Sequence, residues 1–327
     1  MLIIIEGPDG AGKTTLAREI VSASRKANLR VRELHRGAPS SSNLVREYSL
    51  DLRDYAPARD LIICDRWHMG ERVYGTLLRG RSLMSQGTWW WLEMFLAARG
   101  AVEIVLAPPL STLQQRIKER EAETGELEPP VIHETLEAAR EMFLALAQTD
   151  TPLTRCVSSA DVEPAELAAR AVALAQREAA RALRAVTSRG TLGSLIGSPT
   201  PTTLALGDTY GTSGERAENE GAFAPSTGSC GTFLCRQLAA QPVSALRVLH
   251  QLAIANSDNV ARTTELLTQL QPHKVIALGA RARERILAAG WWQYSLVTLP
   301  HPQYIRRFSH ETGLSYAQEL IAAVAAK

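Results

Sequence analysis

Short apolar segments alternate with amphipathic or polar segments along most of this chain. In the first half, apolar segments begin near residues 2, 31, 61, 102 and 153, and each precedes a helix-like stretch or a polar loop. Short apolar runs are typical of strands buried on both faces, and helices between such strands supply the crossovers. Residues 163–186, rich in Ala, Leu, Arg and Glu, are predicted to form one long closing helix. The pattern predicts an α/β fold with a parallel, doubly wound sheet.

The alternation begins again after a stretch rich in Ser, Thr, Gly and Pro. We therefore predict a first domain over residues 1–187, a flexible linker over 188–201 and a smaller α/β domain over 202–327. The strands predicted in the second domain are Thr203–Leu206, Leu252–Ala255, Lys274–Leu278 and Ser295–Leu299.

A glycine-rich turn follows the first apolar segment. Its sequence, GPDGAGKTT over residues 7–15, matches the pattern G-x-x-x-x-G-K-[ST] and lies between a predicted strand and a predicted helix. Backbone N–H groups of such a turn and the helix N-terminus attract phosphate, while the Lys reaches the terminal phosphates and the first Thr holds Mg²⁺. The pattern predicts ATP and Mg²⁺ as cofactors, bound by Gly7, Asp9, Gly10, Gly12, Lys13, Thr14 and Thr15.

Asp65 and Arg66 directly follow the third apolar segment, at the carboxyl edge of the predicted sheet. There, Asp65 can hold Mg²⁺ together with Thr14, and Arg66 can bind an acceptor phosphate through two hydrogen bonds. Arg116 and Arg120 lie on a helix before an acidic segment and are predicted to neutralise charge during phosphoryl transfer. The alternative for these two arginines is a solvated helix face.

With these motifs, about residues 1–160 resemble the thymidylate kinase branch of the nucleoside monophosphate kinases. The matching residues are those of the loop, the triplet Asp65-Arg66-Trp67 and the pair Val73-Tyr74. The resemblance implies that Asp9 contacts the acceptor sugar, that Arg66 binds the acceptor phosphate and that Tyr74 lies in the acceptor site. It also implies that the helix carrying Arg116 and Arg120 belongs to a mobile lid.

The chain departs from that family in two places. His35-Arg36-Gly37-Ala38-Pro39 stands where the family has Arg-Glu-Pro-Gly-Gly, and Gly75 replaces an amide that reads the base. Trp89-Trp90-Trp91 is an alternative surface for base stacking, although three adjacent helical residues point in different directions, so at least one is expected in the core.

Polar residues follow the predicted strands of the second half, where they can meet at one sheet edge. Their order resembles the uracil-DNA glycosylase superfamily, most closely the bacterial iron–sulphur type, although the cluster cysteines are absent. The resemblance implies a water-activating loop, a ring under the base, two groups on the base edge and basic groups on the strand phosphates. By this resemblance, Asp208 and Thr209 belong to the water-activating loop and Phe223 lies under the base. Asn256 and His301 contact the base edge, and Arg306 or Arg307 binds the strand phosphates.

Composition narrows the function classes only slightly. A net charge of +2 provides no strong general field for polyanions, and no apolar run approaches the ~18–20 residues of a membrane span. No signal peptide is visible and the four cysteines are interpreted as reduced thiols, so a cytoplasmic protein is expected. The oligomeric state stays open, and a homodimer is one option.

The sequence thus predicts an ATP-dependent kinase that acts on a pyrimidine deoxynucleotide. The sharpest hypothesis is phosphorylation of the 5-hydroxymethyl group of hydroxymethyluracil in DNA, as in viral kinases that this pairing of domains resembles, with the second domain binding the base or strand. One alternative is a kinase of free, dTMP-like monophosphates fused to a glycosylase-like domain. A second is a non-enzymatic DNA-binding protein gated by nucleotide.

Overall fold

The computed structural model describes residues 1–24, 29–40, 43–52, 55–160, 162–185, 195–208, 222–225, 229–291, 295–308 and 313–326. Two five-stranded sheets organise these residues. None of the helices in these ranges is long and apolar enough to span a membrane.

The first sheet is parallel throughout and has the strand order β2-β3-β1-β4-β5. Its strands are β1 (Leu2–Glu6), β2 (Arg30–His35), β3 (Asp60–Asp65), β4 (Ala101–Leu106) and β5 (Thr154–Ser158). The helices are α1 (Lys13–Ser24), α2 (Leu44–Asp51), α3 (His68–Arg79), α4 (Gln86–Ala98), α5 (Leu110–Thr124), α6 (Pro130–Ala147) and α7 (Pro164–Ala182). Every residue of β1, β3 and β4 is buried, which explains their nearly continuous apolar sequences. The predicted α/β class and parallel sheet are confirmed.

The second sheet has the order β10-β9-β7-β8-β6. Its strands are β6 (Ile196–Gly197), β7 (Thr203–Gly207), β8 (Leu252–Asn256), β9 (Lys274–Leu278) and β10 (Ser295–Leu299), and only β6 runs antiparallel to its neighbour. The helices described are α8 (Ser229–Ala239), α9 (Val243–Leu246), α10 (Val260–Leu270), α11 (Ala280–Ala288), α12 (Pro302–Phe308) and α13 (Gly313–Ala325).

Part of the predicted linker is instead a component of this sheet. Residues 188–194 lie outside the described ranges, but Ile196–Gly197 pair with β8, and both Leu195 and Ile196 are buried. Their apolar side chains join the core, so residues 195–197 of the predicted flexible linker are packed against the second sheet.

Helix α4 packs against β4 of the first sheet and against β6 and α8 of the second half, so that the two halves share one apolar core. Trp91 stacks on Phe95 with 4.8 Å between ring centroids, and its indole N–H donates to the Ala222 carbonyl of the second half at 3.1 Å. Trp89, Trp90 and Trp91 are all buried, so the predicted alternative of base stacking on these rings is wrong. Their burial shows that the triple-tryptophan segment is a core element between the halves.

Candidate functional site

The glycine-rich loop joins the end of β1 to the start of α1. Gly7 and Gly10 have φ angles of +145° and +76°, which L side chains rarely adopt. A Cβ on Gly7 would lie 2.2 Å from the Leu106 carbonyl oxygen, and one on Gly10 would lie 2.9 Å from that of Leu113. Only glycine therefore lets the loop curl between β4 and α5 and lead into the N-terminus of α1.

A cavity of about 750 Å³ opens above this loop. Its lining includes most of the predicted kinase residues, namely Asp9, Gly10, Gly12, Lys13, Thr14, Thr15, Asp65, Arg66, Arg116 and Arg120. Gly7 begins the loop, and Tyr74 hydrogen-bonds to Asp9, which lines the cavity. The fold thus brings together residues that are separated by more than a hundred positions in sequence.

Lys13 lies buried against the loop, where its ammonium donates to the carbonyls of Gly7 at 2.9 Å and Pro8 at 2.7 Å. Burial lowers the pKa of Lys13 to about 8, and the nearby Arg66 acts in the same direction. A phosphate in the cradle would supply the negative charge that favours the ammonium form.

Thr14 and Asp65 form the oxygen pair predicted to hold Mg²⁺. The Thr14 hydroxyl donates to Asp65 Oδ2 at 3.0 Å, and Asp65 Oδ1 is buried with no hydrogen-bond partner within the described ranges. Hydroxyl and carboxylate oxygens are ligands that Mg²⁺ accepts, so these two residues fit the ion.

His35 is a cavity residue that the sequence interpretation did not select as a site residue. Its Nδ1 lies 3.3 Å from Asp65 Oδ2, and its side chain is largely exposed to the cavity. The sequence could have predicted this site residue, because His35 ends β2 next to Asp65 of β3, and neighbouring parallel strands end at the same edge of a sheet.

Asp9, Arg66 and Tyr74 form a second polar group at the cavity. Arg66 Nη2 lies 2.5 Å from Asp9 Oδ1, and the Tyr74 hydroxyl donates to Asp9 Oδ2 at 3.1 Å. Arg66 has a φ angle of +66°, a strained conformation for a side chain of this kind that often marks functional sites. Burial and the charge of Asp9 raise the pKa of Tyr74, which keeps its hydroxyl protonated as a donor.

The two predicted lid arginines occupy different positions. Arg116 donates to the Ala11 carbonyl at 3.4 Å and lies over the phosphate loop, whereas Arg120 is paired with Glu128 at the far end of α5. Arg116 is therefore the better placed of the two for a phosphate bound in the loop.

The predicted residues of the second half also converge. Gly207 pairs in register with Asn256, and a Cβ at Gly207 would lie 2.4 Å from the Asn256 side-chain oxygen and 2.7 Å from the Phe223 ring. The His301 ring lies 5.9 Å from that of Phe223, and Asp208 follows β7 at the same edge. Asn256 and Phe223 therefore both adjoin Gly207 where β7 and β8 end, and His301 lies beside Phe223.

The Asp208 carboxylate at this edge is paired with a guanidinium, and the His301 imidazole is affected by burial and by Asp208. Asp208 Oδ1 lies 3.0 Å from Arg285 Nη1, and burial lowers the pKa of His301 against the opposing effect of Asp208. Arg306 lies on α12, close enough to Cys230 to oppose the rise in that thiol's pKa caused by burial. Thr209 and the side chain of Arg307 fall outside what the structure describes.

No family model matches the chain, and no curated protein matches it. Among solved structures it is similar to deoxyadenosine kinase from M. mycoides with bound dATP and with bound dCTP, both at 21% identity and a TM-score of 0.33. A third structure, of the same kinase with the products dCMP and a flexible dCDP, matches at 20% identity and a TM-score of 0.32. Each match covers 53% of this chain and 100%, 99% and 97% of the respective kinase chains.

Proposed function

We propose that the protein transfers the γ-phosphoryl group of ATP to a deoxynucleoside or deoxynucleotide acceptor. The observation that carries the proposal is one cavity lined by the loop with Lys13, by the Thr14–Asp65 oxygen pair and by Asp9 and Arg66, with Tyr74 hydrogen-bonded to Asp9. The loop accounts for the donor, and the second polar group supplies hydrogen-bonding and ionic contacts for an acceptor.

In this mechanism the acceptor oxygen attacks the γ-phosphorus, the bond to the β–γ bridging oxygen breaks and ADP leaves. Lys13 exchanges the carbonyls of Gly7 and Pro8 for phosphate oxygens, and Arg116 contacts the transferred group from above the loop. Thr14 and Asp65 would hold Mg²⁺, which neutralises phosphate charge during transfer.

His35 makes the chemistry of the acceptor testable. A hydroxyl acceptor must lose a proton, and the His35 imidazole, 3.3 Å from Asp65, is placed at the cavity to accept it. A phosphate acceptor is already ionised and needs no such base. His35→Gln should therefore lower kcat on hydroxyl acceptors by about 10²-fold and leave kcat on monophosphates nearly unchanged.

We propose a pyrimidine deoxynucleotide as the acceptor. One candidate is hydroxymethyluracil in DNA, and the other is a free monophosphate. Labelled ATP should be offered with four acceptors: deoxynucleosides, free dTMP, free hydroxymethyl-dUMP and hydroxymethyluracil-containing DNA. Transfer only to the DNA would support the first candidate, and transfer only to free nucleosides or nucleotides would reject it.

Lys13→Ala is the control for phosphoryl transfer because the loop lysine contacts phosphate in the transition state. The variant should keep its circular dichroism spectrum and lose transfer to every acceptor. Wild-type turnover by a folded Lys13→Ala protein would refute the kinase assignment. ATP binding by the wild type without any phosphorylated product would favour the nucleotide-gated DNA-binding alternative.

For the second half we propose binding of a nucleobase, free or in a strand. The observation that favours it is an aromatic ring, a carboxamide and an imidazole together at one sheet edge, on Phe223, Asn256 and His301. These groups can stack on a base and hydrogen-bond to its edge. Asn256→Ala should weaken binding of uracil-containing DNA while ATP affinity stays unchanged, and equal DNA affinity would reject the assignment. Release of abasic sites would show excision instead.

A further inference from the structure

Three buried side chains bring one ligand atom each close together, and one of these residues, Glu6, lies directly before the phosphate loop. One ligand atom each of Glu6, His68 and Glu103 lies within 4.8 Å of the other two, and 3.8 Å separates His68 Nδ1 from Glu103 Oε1. All three side chains are fully buried, and the atoms Glu6 Oε2, His68 Nδ1 and Glu103 Oε1 have no hydrogen-bond partner in the described part of the chain. Unpaired buried polar atoms are costly, so three that converge indicate a missing ligand.

The other carboxylate oxygen of Glu6 is firmly held. Glu6 Oε1 accepts the backbone N–H groups of Trp67 and Met69 at 2.9 Å each, and that of Gly70 at 3.4 Å. These donors belong to the start of α3, which fixes the direction of the free oxygen.

The outward atoms of the other two side chains are held by charged partners. His68 Nε2 lies 2.6 Å from Glu93 Oε1, and Glu103 Oε2 accepts from Arg155 Nε at 2.6 Å. Arg155 also pairs with the second oxygen of Glu93. In metal sites, the outer nitrogen of a ligating histidine commonly faces a carboxylate, and ligating carboxylates are themselves hydrogen-bonded. These outer contacts orient the ligands toward the ion, and the same arrangement is present here.

The charges within this cluster leave room for a divalent cation. With Glu6, Glu93 and Glu103 ionised and His68 neutral, three carboxylates stand against the guanidinium of Arg155, which leaves two negative charges. Without an ion, burial raises the pKa of Glu6 to about 7, and Glu103 and Glu93 raise the pKa of His68 against the effect of its burial, so a bound cation would displace protons from the cluster. The ammonium of Lys13 donates to loop carbonyls and belongs to the phosphate site. A neutral imidazole is the form that ligates metals.

We propose that Glu6, His68 and Glu103 bind one divalent transition-metal ion, for which Zn²⁺ is the best match. An imidazole nitrogen with two carboxylate oxygens favours Zn²⁺ over Mg²⁺ or Ca²⁺, which prefer all-oxygen sites. Ligands ~2.1 Å from a tetrahedral ion are about 3.4 Å apart, so small shifts of the three side chains that keep their outer hydrogen bonds would fill three positions of the ion and leave the fourth to a water. The ion would tie the end of β1, directly before the phosphate loop, to the start of α3, two residues after Arg66.

Metal content of the full chain tests this proposal. Protein expressed with added Zn²⁺ is dialysed against EDTA, which removes ions from the open phosphate site, and its zinc is measured by mass spectrometry. We expect one zinc per chain in the wild type and at least a tenfold loss in His68→Gln, whose amide can still donate to Glu93. Glu71→Gln is the matched control because Glu71 is buried and paired with Arg79 outside this cluster, and it should retain zinc.

A spectroscopic measurement on the wild type covers the case in which His68→Gln does not fold. Zinc-edge X-ray absorption should show a shell of nitrogen and oxygen at about 2.0–2.2 Å with one imidazole and no sulfur. Less than a tenth of a zinc per chain, sulfur scattering, or equal zinc in a folded His68→Gln protein would overturn the proposal. The first of these results would mean that protons balance the buried carboxylates.

Discussion

The hydrogen bond between Trp91 and Ala222 offers a direct test of how the two halves are joined. Trp91 is completely buried in α4, and its indole N–H reaches a carbonyl of the second half at 3.1 Å. Trp91→Phe leaves that buried carbonyl without its donor, at a cost of about 1–3 kcal/mol. The smaller ring also leaves a void of about 40 Å³, which adds about 1 kcal/mol at ~24 cal/mol per Å³. The free energy of unfolding should therefore fall by about 2–4 kcal/mol.

Urea unfolding followed by circular dichroism and by tryptophan fluorescence measures this change. With an m-value of about 3 kcal/mol per M, the midpoint should fall by roughly 1 M while the slope stays constant. Trp90→Phe is the matched control because Trp90 lies on the same helix and no partner for its indole nitrogen lies in the described residues; it should cost only about 1 kcal/mol.

Two results would refute this reasoning. Equal destabilisation by Trp91→Phe and Trp90→Phe would show that the hydrogen bond to Ala222 contributes nothing. Separate unfolding transitions, with the first half unaffected by Trp91→Phe, would show that α4 does not couple the halves. In that case the predicted division at residue 187 would describe independently stable domains.

Three further predictions concern single positions. Arg116→Ala should lower kcat by about 10²–10³-fold in a steady-state kinase assay, whereas Lys118→Ala, at an exposed position of the same helix, should leave kcat unchanged. Gly207→Ala should lower the free energy of unfolding by about 1–3 kcal/mol in urea, because its methyl group meets the Asn256 oxygen at 2.4 Å; wild-type stability would contradict this. Burial lowers the pKa of His301 from 6.5, so the unfolded chain binds the proton more readily and stability should fall as the pH drops below 6.5. His301→Gln should flatten that slope in urea titrations at several pH values.

The sequence contained enough information for the first sheet and for the composition of the phosphate loop. Apolar runs marked β1, β3 and β4 because strands buried on both faces must be apolar throughout. The spacing of Gly7, Gly10 and Lys13 is a local requirement of a tight loop, so it is legible without any knowledge of distant contacts. Asp65 was placed at the sheet edge because it ends the apolar run that forms β3.

Other features depend on contacts between distant parts of the chain. The sequence predicted a flexible linker over 188–201, but Leu195 and Ile196 are buried, and Ile196 pairs with the second sheet. Likewise, the sequence does not indicate what the three adjacent tryptophans, Trp89, Trp90 and Trp91, pack against. They are buried because α4 packs between the two halves.

Sequence alone was sufficient to locate a loop with a phosphate-binding pattern, an Asp-Arg pair at the end of a strand, and polar residues after later strands. Only the tertiary structure decided which charged groups share a buried space, as Glu6, His68 and Glu103 do from positions nearly a hundred residues apart. The physical reason is that loop and strand patterns arise from neighbouring residues. Burial, electrostatic balance and ligand geometry arise where separate strands and helices meet.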